Sequence, residues 1–498
     1  MKKNTICITL LRALLATAMF IPCGVKAQEE TKELTNLVIF IRFADDEEID
    51  HSFADIDSMF NGRTPGCYSV YNYFNAMTYG NIHYNTVYTN NVRNNVIVSY
   101  RDIYPRGHFR PYSEDNPEGY TGELPLVGIS MLEIELLERI FNYVDTAGWV
   151  NPNVVLDGNG DGDIDNVSII VKGMCDDWGD LLWPHMEFFP HDSVGHTVTI
   201  NGVRVHAYNF EFEADSIYFT PKTFCHEMCH SLGLPDLYHY SHYTNIYTAG
   251  CWDVMDANWW GANHTAAIIK SKYLHVCDDP IEIICDGDYT LRSVGSSPSQ
   301  NCYYIRSAVD PTQWFTFEYR RYQDPYEEGI PGTGLIAARW NDTVPLDIYT
   351  NGLFDFYTQA HQYWVFRPGS AIDTVNGEWI NANFSAATGR TAFGPTTDPH
   401  PYLTDGTPET SFEITNIQEN GTELTFHVHF LGTEGIDDLE VMGYRLWVMD
   451  GRIVVDGTSD EVHIFDIVGR EVHNSGLRNG VYLVKVGDRP ARKVVVVK

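Results

Sequence analysis

Residues 37–44 (Leu-Val-Ile-Phe-Ile-Arg-Phe-Ala) form a nearly unbroken apolar run, which predicts a buried strand at the start of a mixed α/β region. Tyr68–Met77 predicts a helix that stops near Gly80. Over 128–144, Ile129, Leu132, Leu136, Leu137, Ile140 and Tyr143 fall at helical spacing and predict an amphipathic helix. From about 280 to 430 the texture changes to short alternating strands separated by Gly, Pro, Asn and Asp, a β-rich region. Residues 433–440 (Thr-Glu-Gly-Ile-Asp-Asp-Leu-Glu) read as a linker. Short strands then follow at Arg452–Val455, Val462–Asp466, Val481–Val486 and Lys493–Val497, enough for a small C-terminal β-sandwich.

With 498 residues and 44% hydrophobic positions the chain has ample material for packed cores, which excludes a disordered or collagen-like protein. The formal charge of −34 argues against nucleic acid and anionic membrane surfaces as partners. Met1-Lys2-Lys3, an apolar run from Ile6 to Ile21, and Val25-Lys26-Ala27 have the form of a secretory signal peptide cut after Ala27. Its removal takes away four basic residues and no acids, leaving 29 basic against 67 acidic and a charge of −38. No later apolar run is long enough to span a membrane. The remaining eight cysteines permit disulfides in an exported chain, and the close pair Cys277 and Cys285 is the first expectation.

The most informative segment is Thr220-Pro-Lys-Thr-Phe-Cys-His-Glu-Met-Cys-His-Ser-Leu-Gly-Leu-Pro-Asp236. Thr220 can cap a helix and Pro221 suits its first turn. His226 and His230 then share one helical face and can grip a single metal ion. Glu227 stands beside that face, placed to act on a metal-bound water as general base. Gly233 ends the helix and Pro235 prevents its resumption, so the chain turns and Asp236 returns as a third ligand. Zinc is the expected ion, because two imidazoles and a carboxylate with an open position are its catalytic ligand set. Cys225 and Cys229 lie on the same helix but do not fit that ligand set and read as packing or disulfide partners. Gly250-Cys-Trp-Asp-Val-Met255, whose methionine lies nineteen residues past Asp236, has the form of a methionine-bearing turn beneath such a metal. Tyr238, Tyr240, His185 and His264 are candidates to stabilise a developing oxyanion, Tyr238 first because it lies two residues past Asp236. A second metal is suggested by Asp157, Asn159, Asp161, Asp163 and Asp165, spaced like the start of a calcium-binding loop with Gly162 at its turn. Its usual closing glutamate is replaced by Ser168, and Val167–Val171 continues as a strand.

His226–Tyr238 followed by Gly250–Met255 resembles the immune inhibitor A family of secreted bacterial zinc metallopeptidases. Leu37–Asp45, Ser69–Gly80, Leu182–His185, Phe317–Arg320 and Pro331–Leu335 resemble further segments of that family in the same order, over about residues 37–340. Tyr319 stands where the family usually has Asn, and only a short stretch separates the signal from the first strand. The resemblance implies a zincin-like α/β catalytic domain and a zinc endopeptidase with His226, His230 and Asp236 as ligands and Glu227 as base. It also favours a structural calcium. Residues 450–498 resemble the C-terminal sorting domain of the Bacteroidetes type IX secretion system. That resemblance implies dealings with the secretion machinery, passage through the periplasm, and release to the medium or the outer cell surface.

The expected organisation is therefore a signal peptide (1–27), a catalytic domain (28–279), a β-rich domain completing it (280–432), a linker (433–440) and a sorting domain (441–498). The expected function is hydrolysis of protein or peptide substrates through a metal-activated water. An inactive adhesin on a protease fold, and a zinc hydrolase of non-peptide substrates, are the alternatives.

Overall fold

The structure, a computed structural model, describes residues 31–89, 92–93, 95–122, 130–177, 180–214, 219–238, 246–256, 261–344, 361–431 and most of 445–496. The expected signal peptide and the linker 433–440 lie outside the described residues. Strands β1 (Lys32–Arg42), β2 (Ile82–Tyr88), β3 (Asn166–Val171), β4 (His185–Phe188) and β5 (Ala207–Phe212) form one sheet in the order β2-β1-β3-β5-β4. All neighbours are parallel except β4, which runs antiparallel to β5 along the outer edge. Tyr100–Arg101 adds a short pairing at the end of β1.

The apolar run of β1 is continuous because both of its faces are covered. Leu37, Ile39 and Ile41 pack with Val167, Ile169 and Val171 against Leu137, Ile140 and Phe141 of a long helix. Val38, Phe40 and Ile170 face the opposite layer, with Phe60, Phe74, Phe224 and Met228. The helices are α1 (Phe53–Asn61), α2 (Val70–Met77), α3 (Met131–Thr146) and α4 (Pro221–Ser231). Both α2 and α3 start at a serine, Ser69 or Ser130, whose side chain accepts the backbone N–H three residues on. α3 begins three residues later than the apolar periodicity suggested, because Ser130 caps it.

The second region contributes β6 (Ile281–Glu282), β7 (Gly287–Arg292), β8 (Cys302–Arg306), β9 (Gln313–Arg320), β10 (Gly334–Asn341), β11 (Tyr363–Val365), β12 (Phe412–Asn420) and β13 (Glu423–Phe430). They form a five-stranded sheet, β6-β8-β9-β10-β11, and a three-stranded one, β7-β13-β12. Phe315, Phe317, Leu335 and Trp364 of the first pack against Leu291, Phe412, Phe426 and Val428 of the second. The alternate residues Trp314, Ile336, Ala338 and Trp340 face the other way and join the core that holds Met255 and Ile268. The β-rich region thus shares a core with the α/β layer. In the tail, Arg445–Met449 pairs with Arg452–Asp456, and Val462–Asp466, Gly480–Val486 and Arg492–Val496 form a three-stranded sheet. Ile453, Ile464, Val484, Val486 and Val496 make their common apolar cluster.

The disulfide expectation fails, since all eight of these cysteines are free thiols. Cys277 is buried with its Sγ on the Ala267 carbonyl, whereas Cys285 is exposed beside the Tyr289 hydroxyl, so the two face different partners. Among the described residues, no helix is long and apolar enough to cross a membrane.

Candidate metal centre

α4 begins as its sequence suggests, but by a different device. Thr220 occupies the N-cap in an extended conformation, yet its hydroxyl makes no capping bond. Pro221 does the work instead, supplying a preset φ and removing one N–H that would lack a partner. At the other end, Gly233 takes φ +87°. Its N–H donates to the His230 carbonyl (2.8 Å) and that of Leu234 to the Cys229 carbonyl (3.1 Å). This is the glycine-dependent termination that reverses the chain sharply, and a side chain at 233 would be strained.

The reversal carries Asp236 back over the helix. Its Oδ1 lies 3.0 Å from Nε2 of His226 and 3.5 Å from Nε2 of His230, and all three side chains are largely buried. The other ring nitrogens are committed. His226 Nδ1 is 2.7 Å from the Val254 carbonyl, and His230 Nδ1 is 2.6 Å from the Leu234 carbonyl. A carbonyl only accepts, so each Nδ1 carries the hydrogen and each Nε2 presents a lone pair to Asp236. Three acceptors so close repel unless a proton or a cation lies among them. Without a metal the proton does this: burial disfavours the His226 cation, but the Asp236 carboxylate more than offsets it and raises the imidazole to about 9. His230 is raised for the same reason, and Asp236 is held well below the usual carboxylate range by the two rings despite its burial. A divalent cation would take the proton's place with the same ligands. Glu227 lies beside them, its carboxylate within 4.8 Å of the ligand atoms of His226 and His230.

The floor of the site is the turn Gly250–Met255. Its Val254 carbonyl orients His226, and its Met255 carbonyl accepts the Leu237 N–H at 2.7 Å. Two carboxylates hold the turn from within: Asp253 accepts from Met255, Thr265 and Ala266, and Asp256 from the backbone of Ala249 and Gly250. Burial pushes Asp253 up to about 6, although those donors act against the rise. From the second region, Arg320 of β9 donates to the carbonyls of Trp252 and His264 and pairs with Glu318 and Glu327. Glu318 accepts the Ala267 N–H at 2.7 Å. The Phe317–Arg320 segment therefore clamps the turn, while Tyr319 points away, donating to the Gly421 carbonyl.

The oxyanion candidates separate clearly. The Tyr238 ring stacks 6.5 Å from that of His226, and its phenol is raised well above its ordinary value by burial and then by Asp236. His185, at the start of the edge strand β4, has Nδ1 2.6 Å from the Trp183 carbonyl and Nε2 2.9 Å from Glu133, which also accepts from Tyr208. Burial opposes its cation, yet Glu133 raises it to about 9. His264 is fully buried against Lys270 Nζ (2.7 Å) and the Pro325 carbonyl (3.0 Å), so it is a core residue. Tyr240 lies outside the described residues.

In the acidic loop Asp163 is paired with Arg204, and Asp165 accepts three backbone N–H groups, from Thr35, Gly158 and Asn159. Asp157 and Asn159 accept amides of the loop itself, and Asp161 accepts that of Asp163. Asn159 and Asp161 are exposed and Asp157 is half-buried. A different group, Asp50, His51 and Glu213, does converge, but Lys172 Nζ already bridges Glu213 (2.8 Å) and Asp50 (3.2 Å). The Arg320 clamp, the two turn carboxylates and Glu133 as the partner of His185 are the bracing residues that sequence reasoning missed. The spacing of Glu318 and Arg320, two apart on one strand face, is the signal that could have exposed the clamp. No family model matches this chain, and no curated protein matches it either.

Proposed function

We propose that the chain is a zinc-dependent endopeptidase acting on protein or peptide substrates. One observation carries this reading: two Nε2 lone pairs and the Asp236 carboxylate converge, with each imidazole fixed through Nδ1 by a backbone carbonyl. Zinc held by His226, His230 and Asp236 would supply Lewis acidity and lower the pKa of a bound water. Glu227, adjacent but outside the ligand set, would accept a proton from the attacking water and return it to the leaving amine. Tyr238 is the residue proposed to donate to the oxyanion, being nearest in the chain to the ligands.

The edge strand β4 supports a polypeptide substrate. It pairs with β5 on one side and, among the described residues, with no strand on the other, and it lies beside α4. An extended peptide could add there as a further strand, beside the helix whose histidines would hold the zinc. The zincin-like assignment of the α/β layer, export by a signal peptide, and use of the tail as a type IX sorting domain belong to the same proposal. Calcium, at the loop of Asp157, Asn159, Asp161, Asp163 and Asp165, is its structural cofactor.

The test is casein hydrolysis by the purified full-length chain after proteolytic removal of the signal. Activity should vanish with a chelator and return with zinc alone. Zinc-loaded protein that binds casein but leaves it intact would favour the adhesin reading.

A further inference from the structure

Beneath the C-terminal end of α4 the sheet presents a polar layer where the rest of that face is apolar. Asn36 of β1, Asn166 and Ser168 of β3, and Asn209 of β5 lie on the face that α4 covers, and all four are fully buried. Asn36 is the register partner of Asn166, and Ser168 that of Asn209, so the group crosses three strands. Asn166 is its centre. Its Nδ2 donates to Asn36 Oδ1 (2.7 Å) and Asn209 Oδ1 (3.0 Å), and the Ser168 hydroxyl lies 2.9 and 3.0 Å from the same two oxygens. Its Oδ1 accepts the hydroxyl of Ser231, the last residue of α4, at 2.7 Å. A side-chain hydrogen bond thus joins the metal-binding helix to the middle of the sheet, one residue past His230.

Stability alone does not explain a buried amide cluster. An apolar layer of the same shape would need no internal partners, whereas Asn209 Nδ2 is buried here with no hydrogen-bond partner among the described residues. What polar contacts add is direction. α4 also meets this face through Phe224 and Met228, in one core with Val38, Phe40 and Ile170, and such packing is non-directional. A hydrogen bond weakens steeply with distance and angle, so the Ser231–Asn166 contact fixes the helix along and across the sheet. His226, Glu227, His230 and Asp236 all belong to α4 and the turn that follows it, and therefore shift with the helix. The edge strand β4 belongs to the sheet, tied to Asn166 through β5.

We propose that Asn166, through Ser231, is a positioning residue that holds the metal centre in register with the edge strand on which a substrate peptide would lie. This rests on the peptidase reading and adds to it the contact that sets the distance from peptide to metal.

The experiment compares zinc-loaded wild type, Ser231→Ala, Ser231→Thr and Asn166→Leu, all full-length, in casein hydrolysis well below their melting temperatures. Ser231→Ala should lower kcat by about 10–100-fold, the loss that a displacement of about 1 Å brings, and leave KM unchanged because the peptide still pairs with β4. Zinc affinity should stay at the wild-type level, since the ligands shift together. Ser231→Thr, which keeps the hydroxyl, should retain most of the rate. Asn166→Leu removes the same bond from the other side and should show the same split; Ser231→Ala decides the matter should Asn166→Leu not fold. A merely structural contact would lower the melting temperature and spare kcat, so a wild-type kcat in zinc-loaded Ser231→Ala would overturn the proposal. An equal loss of kcat in Ser231→Thr would overturn it too. Zinc-loaded wild type that cleaves no casein would sink the peptidase reading itself, and the positioning role with it.

Discussion

The division of labour in the metal centre can be tested by changing Asp236 and Glu227 one at a time. Asp236→Asn keeps the size of the side chain and removes its charge. In the structure that charge sits 3.0 and 3.5 Å from two imidazole nitrogens, with all three groups largely desolvated. Losing a partner that only orients a ligand costs about 10–100-fold in metal affinity. Replacing an anionic ligand should exceed that, so zinc should bind more than about 100-fold more weakly, at least about 2.7 kcal/mol. Glu227→Gln should leave zinc affinity near wild type, because that carboxylate serves the water, and should cost about 10²–10⁴-fold in rate. The assay is zinc content by metal analysis beside casein hydrolysis, with and without added zinc. Added zinc should partly restore Asp236→Asn and leave Glu227→Gln inactive. A zinc-loaded Glu227→Gln protein at the wild-type rate would refute the assigned base. An Asp236→Asn protein with full zinc affinity would move the third ligand elsewhere.

What the sequence revealed of this centre was local, and what it hid was distant. Pro221, the two histidines at i and i+4, and Gly233 lie within one helix and its end, so propensity and φ restriction alone locate them. Asp236 follows from the sharpness of the turn at Gly233. Arg320 could not be read this way, because its partners Trp252, His264 and Glu327 meet it only when β9 packs across the methionine turn. The partners of the acidic loop were hidden for a similar reason. Arg204, remote in sequence, pairs with Asp163, and the Thr35 N–H on β1 donates to Asp165. Cys277 and Cys285 are neighbours in sequence, yet one turns into the core and the other to solvent. Thr220 takes the N-cap position without a capping bond from its side chain, and Pro221 presets the first turn. The strands themselves were legible where burial alternates or runs unbroken, as in β1 and β13. The shared core of the two regions was not, since Trp314 and Trp340 look like any strand aromatics until the sheet is placed.

Three further predictions follow from particular contacts. Arg320→Met should destabilise the protein by about 3–5 kcal/mol in urea denaturation, because it strands the buried carboxylates of Glu318 and Glu327; a loss under about 1 kcal/mol would mean that the clamp is not needed. If Asp157 and Asp161 bind calcium, the wild-type rise in melting temperature on adding millimolar calcium should vanish in Asp157→Ala/Asp161→Ala; an equal rise in both proteins would remove calcium from this loop. The last concerns His185, whose cation is opposed by burial but favoured more strongly by Glu133, so its pKa rises from 6.5 in the unfolded chain to about 9 in the folded one. A raised folded value means that the pairing stabilises fully below about pH 6.5 and fades as pH climbs through about 9. A ring with a quarter of its side chain exposed should contribute about 2–3 kcal/mol at the low end. The stability difference between wild type and His185→Gln, measured by denaturant unfolding, should therefore be largest near pH 6 and shrink by about that amount towards pH 10. A difference that stays constant across that range would show that folding does not hold His185 as a cation.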